Sequence, residues 1–121
     1  MIAARDLFAR YGYDGTSVRA ITSRARANLG AVTYHFYSKR LLYVAVLQSL
    51  VGPLGARVEW ASRGERAALD KIESIVRAFF EHIRQNPDMP PIMIREMASG
   101  RLVPGPVAQT FKRVLASISA V

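Results

Sequence analysis

One period runs through this chain from end to end. Apolar residues recur at the i, i+3, i+4, i+7 spacing that puts them on one face of a helix, and no stretch shows the strict alternation of a half-buried strand. Ala4, Leu7, Phe8 and Tyr11 make the first stripe, with Gly12 where a helix end favours a left-handed residue, so a helix is expected over Ile2 to Tyr11. Val18, Ile21, Thr22 and Ala25 make a second short stripe that Thr16 or Ser17 can cap. Asn28 suits the N-cap of a third helix, whose Val32 and Phe36 share the core face. Ser38 caps a fourth from Lys39, apolar almost all round (Leu42, Val44, Ala45, Val46, Leu47, Leu50, Val51), as in an element packed on two sides. Past Gly52 and Pro53 the pattern resumes to about Ser62, where Arg63 and Gly64 break it. Leu69, Ile72, Val76, Phe79, Phe80 and Ile83 then stripe a long amphipathic helix that Asn86 and Pro87 stop. Pro90 and Pro91 open a short helix through Ala98, and Pro106 starts a last one striped by Val107, Phe111, Val114, Leu115 and Ile118. The expected class is all-α.

Charge narrows the partners. The net charge is +8, and residues 1 to 50 are the more basic part, with seven Lys and Arg against Asp6 and Asp14, while the rest has ten against seven acids. Arg predominates, a planar donor suited to phosphate, so nucleic acid is the leading partner. With no cysteine there is neither a disulfide framework nor a thiolate metal site, as suits a reducing cytoplasm. The longest uncharged run, Leu41 to Ala56, is 16 residues and is interrupted by Gln48, Gly52, Pro53 and Gly55. That is short of the ~20 apolar residues of a spanning helix, so no membrane span is expected. Arg5 and Asp6 interrupt the first apolar stretch, which excludes a signal peptide there. A cytoplasmic protein is expected. No cofactor or metal site is expected either, since the two histidines, His35 and His82, have no carboxylate at ligand spacing. No nucleophile stands with a paired base, and no Gly-rich loop suits a phosphate, so an enzyme is not expected.

The segment NLGAVTYHF, Asn28 to Phe36, carries the functional signal. A helix that reads the major groove needs a short body, small residues for close approach and a few projecting polar groups. Gly30 and Ala31 allow approach; Thr33, Tyr34 and His35 carry donors or acceptors; Val32 and Phe36 hold the helix on its support. Thr16, Ser17 and Lys39, at two helix starts, suit phosphate oxygens.

The stretch ARDLFARYGYDGTSVRAIT followed by NLGAVTYHFYSKRLL resembles the DNA-binding domain of the TetR family of bacterial transcriptional regulators, over residues 1 to about 50. The resemblance implies a helix-turn-helix domain at 1–50, joined by the fourth helix to a partial helical ligand-binding and dimerisation domain at 51–121. It implies a homodimer, usually a repressor, with double-stranded operator DNA and a small-molecule effector as partners. Carried over by position, Thr16 and Ser17 become the phosphate-binding start of the second helix. Asn28, Leu29, Ala31, Thr33, Tyr34 and His35 become the groove-facing surface, with Lys39 as a further phosphate contact. Three positions depart from the family pattern. Arg26 stands where the family usually has the turn glycine, at a cost of roughly 1 to 2 kcal/mol if its φ is positive, so the turn is either different or strained. Tyr37 and Arg40 replace a commoner Gly or Lys and a Glu. Family members also continue through two more long helices that form the dimer interface, and this sequence stops before them.

Trp60, Phe79, Phe80, Met93 and Met97 are the expected apolar wall of an effector pocket, as adaptable aromatic and thioether side chains, with ordinary core as the alternative reading of each. Arg95 and Glu96 read either as a solvated pair or as a polar anchor for a ligand. A second functional reading stays open beside the regulator: a truncated helical interaction module, or mixed-dimer partner, with weak or no DNA binding of its own.

Overall fold

The computed structural model describes residues 2–26, 39–100 and 105–120, and among these it holds six helices and no strand. We label them α1 (Ile2–Tyr11), α2 (Val18–Ala25), α3 (Lys39–Ser62), α4 (Ala68–Gln85), α5 (Met89–Ser99) and α6 (Gly105–Ser119). The chain divides into two compact units, residues 1–47 with 88–102 and residues 48–87 with 103–121.

In the first unit α1 buries Ala4, Leu7 and Phe8 and packs on α2 and α5. Its end follows from Gly12, which takes φ +76° while its N–H still reaches the Phe8 carbonyl at 2.9 Å. The turn beyond needs a glycine for another reason. A Cβ on Gly15 would stand 2.2 Å from the Tyr11 carbonyl oxygen, closer than any side chain tolerates. Phe8, Tyr13 and Tyr43 form an aromatic cluster, with Phe8 edge-on to Tyr43 at 4.9 Å and Tyr13 4.8 Å from Tyr43.

Polar ties hold α5 to this unit. Arg5 grips Asp88 with two parallel hydrogen bonds, Nε to Oδ2 at 2.7 Å and Nη2 to Oδ1 at 2.8 Å. Asp88 is the residue before α5, yet it makes no side-chain cap there, because its carboxylate is turned to Arg5. Arg95 donates to the carbonyls of Arg10 at 2.8 Å and Ala9 at 3.3 Å, which places a cation on the C-terminal end of α1. The buried Glu96 accepts a hydrogen bond from the Tyr43 hydroxyl. Arg95 and Glu96 are therefore neither a solvated pair nor a ligand anchor; they fasten α5 to α1 and α3.

α3 corrects the expectation of a break at Gly52 and Pro53. It is a single helix of 24 residues, and Pro53 lies inside it with its ring exposed. A proline costs a helix one hydrogen bond and crowds the preceding turn, and burial on the other side of the helix offsets this. Leu42, Val46, Leu50, Leu54, Val58 and Ala61 are buried at three- and four-residue spacing. By length and composition α3 is apolar enough to cross a bilayer, but half of that stretch is buried within the fold, as in a core helix.

In the second unit Gly55 is buried and a Cβ there would meet the Thr110 Cγ2 at 3.0 Å, so the missing side chain is what lets α6 come this near. His82, on α4, is 1% exposed. Its Nε2 lies 2.7 Å from the Leu50 carbonyl. A carbonyl only accepts, so Nε2 carries the proton, and α4 is pinned to α3 by it.

The expected stripe of α4 is not its buried face. Ile75 and His82 carry the burial, while Leu69, Ile72, Val76, Phe79 and Phe80 are exposed and Ile83 is half-buried. The amphipathic period is real, but it describes an apolar face turned outward, beside a narrower contact with α3.

Candidate nucleic-acid interface

The entrance to α2 is built from two adjacent hydroxyls with different duties. Ser17 is the N-cap: its backbone is extended and its Oγ accepts the Ala20 N–H at 3.0 Å. It is exposed, so the start of α2 opens to solvent. Thr16 is 3% exposed. Its hydroxyl lies 2.8 Å from the Gly12 carbonyl and 3.1 Å from that of Leu7, and shares its proton between them. The Thr16 hydroxyl is thus turned into the end of α1, where it fixes the turn.

α2 ends in a strained residue. Arg26 adopts φ +56°, ψ +32°, and its N–H returns to the Ser23 carbonyl at 3.3 Å. Among the described residues it is the sole non-glycine with positive φ, a conformation that costs an L-residue about 1 to 2 kcal/mol. Of the two expectations for this position, strain is the one realised. Asp6 supports the pair of helices from beneath, with Arg10 at 3.0 Å and Arg24, of α2, at 2.5 Å.

Lys39 begins α3 with its Nζ 4.2 Å from the centroid of the Tyr13 ring. The ring face attracts the cation and limits the directions its flexible stem can take. Tyr13 in turn rests on Tyr43 and Phe8, so the aromatic cluster orients a candidate phosphate contact. Sequence reasoning singled out Lys39 and missed Tyr13. The signal available was the spacing of aromatics, which is not a periodic one. Asn28, Leu29, Ala31, Thr33, Tyr34 and His35 lie outside the described residues.

Most of the expected effector residues are exposed. Trp60 is 74% exposed, Phe80 66% and Met97 80%, with Phe79 exposed and Met93 half-buried. Met93 and Met97 belong to the first unit, and the three aromatics to the second. Within the second unit a groove of about 1050 Å³ opens beside the end of α3 and α4, lined by Trp60 with Arg57, Arg66, Ser74, Arg77 and Glu81. Of the five expected residues it takes Trp60 alone. Arg66 bridges the Ala61 carbonyl at 2.6 Å and the Ser74 hydroxyl at 3.0 Å, closing the corner between α3 and α4. Among the described residues no group of three or more His, Asp or Glu side chains is arranged to hold a metal ion.

Residues 1–46 match the protein-family profile described as bacterial regulatory proteins, tetR family. In fold, residues covering 98% of the chain superimpose on 65% of PfmR, a TetR family transcriptional regulator from Thermus thermophilus, with a TM-score of 0.82 at 21% identity. The chain matches the TetR family in signature and in fold. TetR-family proteins are DNA-binding regulators, not enzymes. Among curated relatives, the HTH-type transcriptional regulator RutR of Escherichia coli is 32% identical over 98 residues, which are 81% of this chain and 46% of RutR. The HTH-type transcriptional activator FasR of Mycolicibacterium smegmatis is 34% identical over 86 residues, 71% of this chain and 39% of FasR. The chain therefore spans about half the length of the curated relatives it matches, or less.

Proposed function

We propose that the chain is the DNA-reading part, and the beginning of the regulatory part, of a ligand-responsive transcriptional regulator working as a homodimer in the cytoplasm. Residues 28–37 enter the major groove and supply the base contacts. Ser17 and Lys39 position them on the phosphate backbone, and Thr16 holds the turn between α1 and α2. Two such segments reach successive major grooves about 34 to 36 Å apart when the half-sites are one helical turn apart. An effector bound in the helical part favours a subunit spacing that no longer fits, and the output is repression by an occupied operator. The coupling is no larger than the effector's differential affinity for the two spacings.

The observation that carries this reading is the tetR-family match of residues 1–46. It coincides with an exposed, Ser17-capped start of α2 and a Lys39 oriented on Tyr13. α3 supports the coupling, because one continuous helix begins at Lys39 and extends from the first unit into the second.

Duplexes selected from a random pool supply the test, titrated at several salt concentrations. Specific binding is expected with log affinity falling linearly in log salt. Tyr34→Ala should weaken the selected duplex and leave the fold intact; unchanged affinity would overturn the groove assignment. Lys39→Ala should weaken every duplex about equally and lower the salt slope by about one. A reporter driven from the selected site reads the sign of the output, and activation in place of repression would overturn the repressor half of the reading.

A further inference from the structure

Among the described residues, three of the positions with a left-handed backbone are glycines: Gly12 at φ +76°, Gly64 at +91° and Gly100 at +70°. The remaining one is Arg26, at +56°. The chain thus supplies the unstrained residue at each of these turns except the one that ends α2. Strain of this kind persists only where the surroundings impose or outweigh it, and it gathers at binding sites.

Nothing described within the chain supplies the compensation. The hydrogen bonds at this turn run from the Arg26 backbone N–H to the carbonyls of Ser23 and Thr22, and a glycine or asparagine would make them equally well. The Arg26 side chain is exposed and has no hydrogen-bond or ion-pair partner among the described residues. A cation at a helix C-terminus gains from the dipole, but at an exposed end that gain does not exceed the left-handed strain. The segment from Val18 to Arg26 holds three arginines and no acid. Asp6, the acid that reaches α2, is engaged by Arg10 and Arg24. Arg26 is therefore a cation kept at a cost in backbone strain and left without an anion among the described residues.

We propose that the missing anion is a DNA phosphate, and that Arg26 is a third backbone contact beside Ser17 and Lys39. The assignment rests on the DNA reading above and adds a residue to it. Asn28, where the proposed groove-reading segment begins, is two residues further on, and two residues span at most about 7 Å. The first residues of a recognition helix lie against the base edges, so a guanidinium this near in the chain is within reach of the flanking phosphates. Its planar fork can donate two parallel hydrogen bonds to phosphate oxygens, which neither glycine nor asparagine can replace. Such a contact raises affinity and fixes register while carrying no base information. Fold stability is exchanged for DNA affinity at one residue.

Stability and affinity should accordingly move in opposite directions on substitution, which a purely structural residue would not show. Thermal unfolding and duplex titration at several salt concentrations, on the same samples, test this. Arg26→Gly should melt higher than wild type and yet bind every duplex about eightfold more weakly at about 0.1 M salt, with a salt slope lower by about one. Arg26→Asn, which tolerates the same backbone, should do likewise. Arg26→Lys keeps both the charge and the strain, so its slope and melting temperature should stay those of the wild type, with a smaller loss of affinity.

Arg26→Gly binding with the wild-type slope, a slope lost equally in Arg26→Lys, or a weakening confined to the selected sequence would each overturn the phosphate assignment. A lower melting temperature in Arg26→Gly would trace the strain to a contact within the chain and would overturn it as well. The two readings fail distinguishably. A wild-type chain that binds no duplex at any salt sinks the regulator reading and this contact with it. A wild-type chain that binds with a steep salt slope, left unchanged by Arg26→Gly, sinks this contact alone.

Discussion

The two compact units use the same helical period to different ends. In the first, apolar residues that recur at helical spacing are buried, and polar side chains then lock the helices: Arg5 on Asp88, Arg95 on the end of α1, Tyr43 on Glu96, Thr16 on Gly12. In the second, the strongest stripe of the chain lies on the outside of α4, and the contact with α3 falls to Ile75 and His82. The first unit is closed by specific polar geometry; the second keeps a broad apolar face open. An amphipathic period states that a helix has an apolar face and leaves undecided what covers it.

The sharpest way to break this comparison is a pair of identical truncations. Phe8 is 1% exposed at the centre of the aromatic cluster, and Phe80 is 66% exposed on α4. Phe8→Ala should lower the unfolding free energy by about 3 to 5 kcal/mol. Phe80→Ala, measured in dilute solution, should change it by less than about 0.5 kcal/mol. Urea denaturation at two protein concentrations decides it. A loss at Phe80 comparable with that at Phe8 in dilute solution would mean that α4's outer face is covered within one chain, and the contrast between the units would fail. A loss at Phe80 that grows with concentration would sharpen it, by showing that the open face is covered between chains and not within one.

Next in size is the Arg5 pair. Both partners are about one-quarter exposed, and the geometry is bidentate. Arg5→Ala should cost about 1 to 2 kcal/mol, with Asp88→Ala similar and the double variant well short of their sum. Additive losses in a double-mutant cycle would show the tie between α1 and α5 to be incidental. Arg26 predicts a change of opposite sign. With its φ of +56°, Arg26→Gly should stabilise the first unit by about 0.5 to 1 kcal/mol, the relief of the left-handed strain less the entropy that glycine adds to the unfolded chain. A loss of stability would mean that the Arg26 side chain contributes a contact outweighing the strain.

Legibility followed the physics of each element. α1 and α2 were legible in outline, because each has a stripe and one local signal in its own sequence: Gly12 closes one, and Thr16 or Ser17 opens the other, where Ser17 is the cap. The passage of α3 through Pro53 was not legible. Local chemistry argues for a break, and only burial of Leu50, Leu54 and Val58 on the far side overrules it. The direction of α4's apolar face was equally hidden, since burial depends on a neighbour many residues away. In the candidate site, Ser17 and Lys39 were visible as polar residues at helix starts. The burial of the Thr16 hydroxyl and the role of Tyr13 under Lys39 required the fold, because each depends on a contact that no period encodes. Arg5 with Asp88, 83 residues apart, is the extreme case.

The smallest expected effect tests the outer side of α4, where charge and not burial organises the surface. Arg84 donates to Glu81 twice, from Nε to Oε2 at 3.0 Å and from Nη2 to Oε1 at 2.5 Å, and Gln85 adds a third hydrogen bond at 3.0 Å. Above all the hydrogen bonds from Arg84, and then its charge, hold the Glu81 carboxyl at about 2, down from 4.5. A carboxyl depressed in the folded state stabilises the fold above its unfolded value, and that contribution is lost as pH falls from about 4.5 through about 2. Arg84 is exposed and Glu81 partly so, so the effect on stability should be slight and should shrink further with added salt. The titration itself is the better readout. Carboxyl carbon chemical shifts of Glu81 should move near pH 2 in the wild-type chain and near the ordinary glutamate value in Arg84→Ala. Should Glu81 titrate normally in both, the charges on this side of α4 are not held in the geometry seen here, and its organisation by charge would fail.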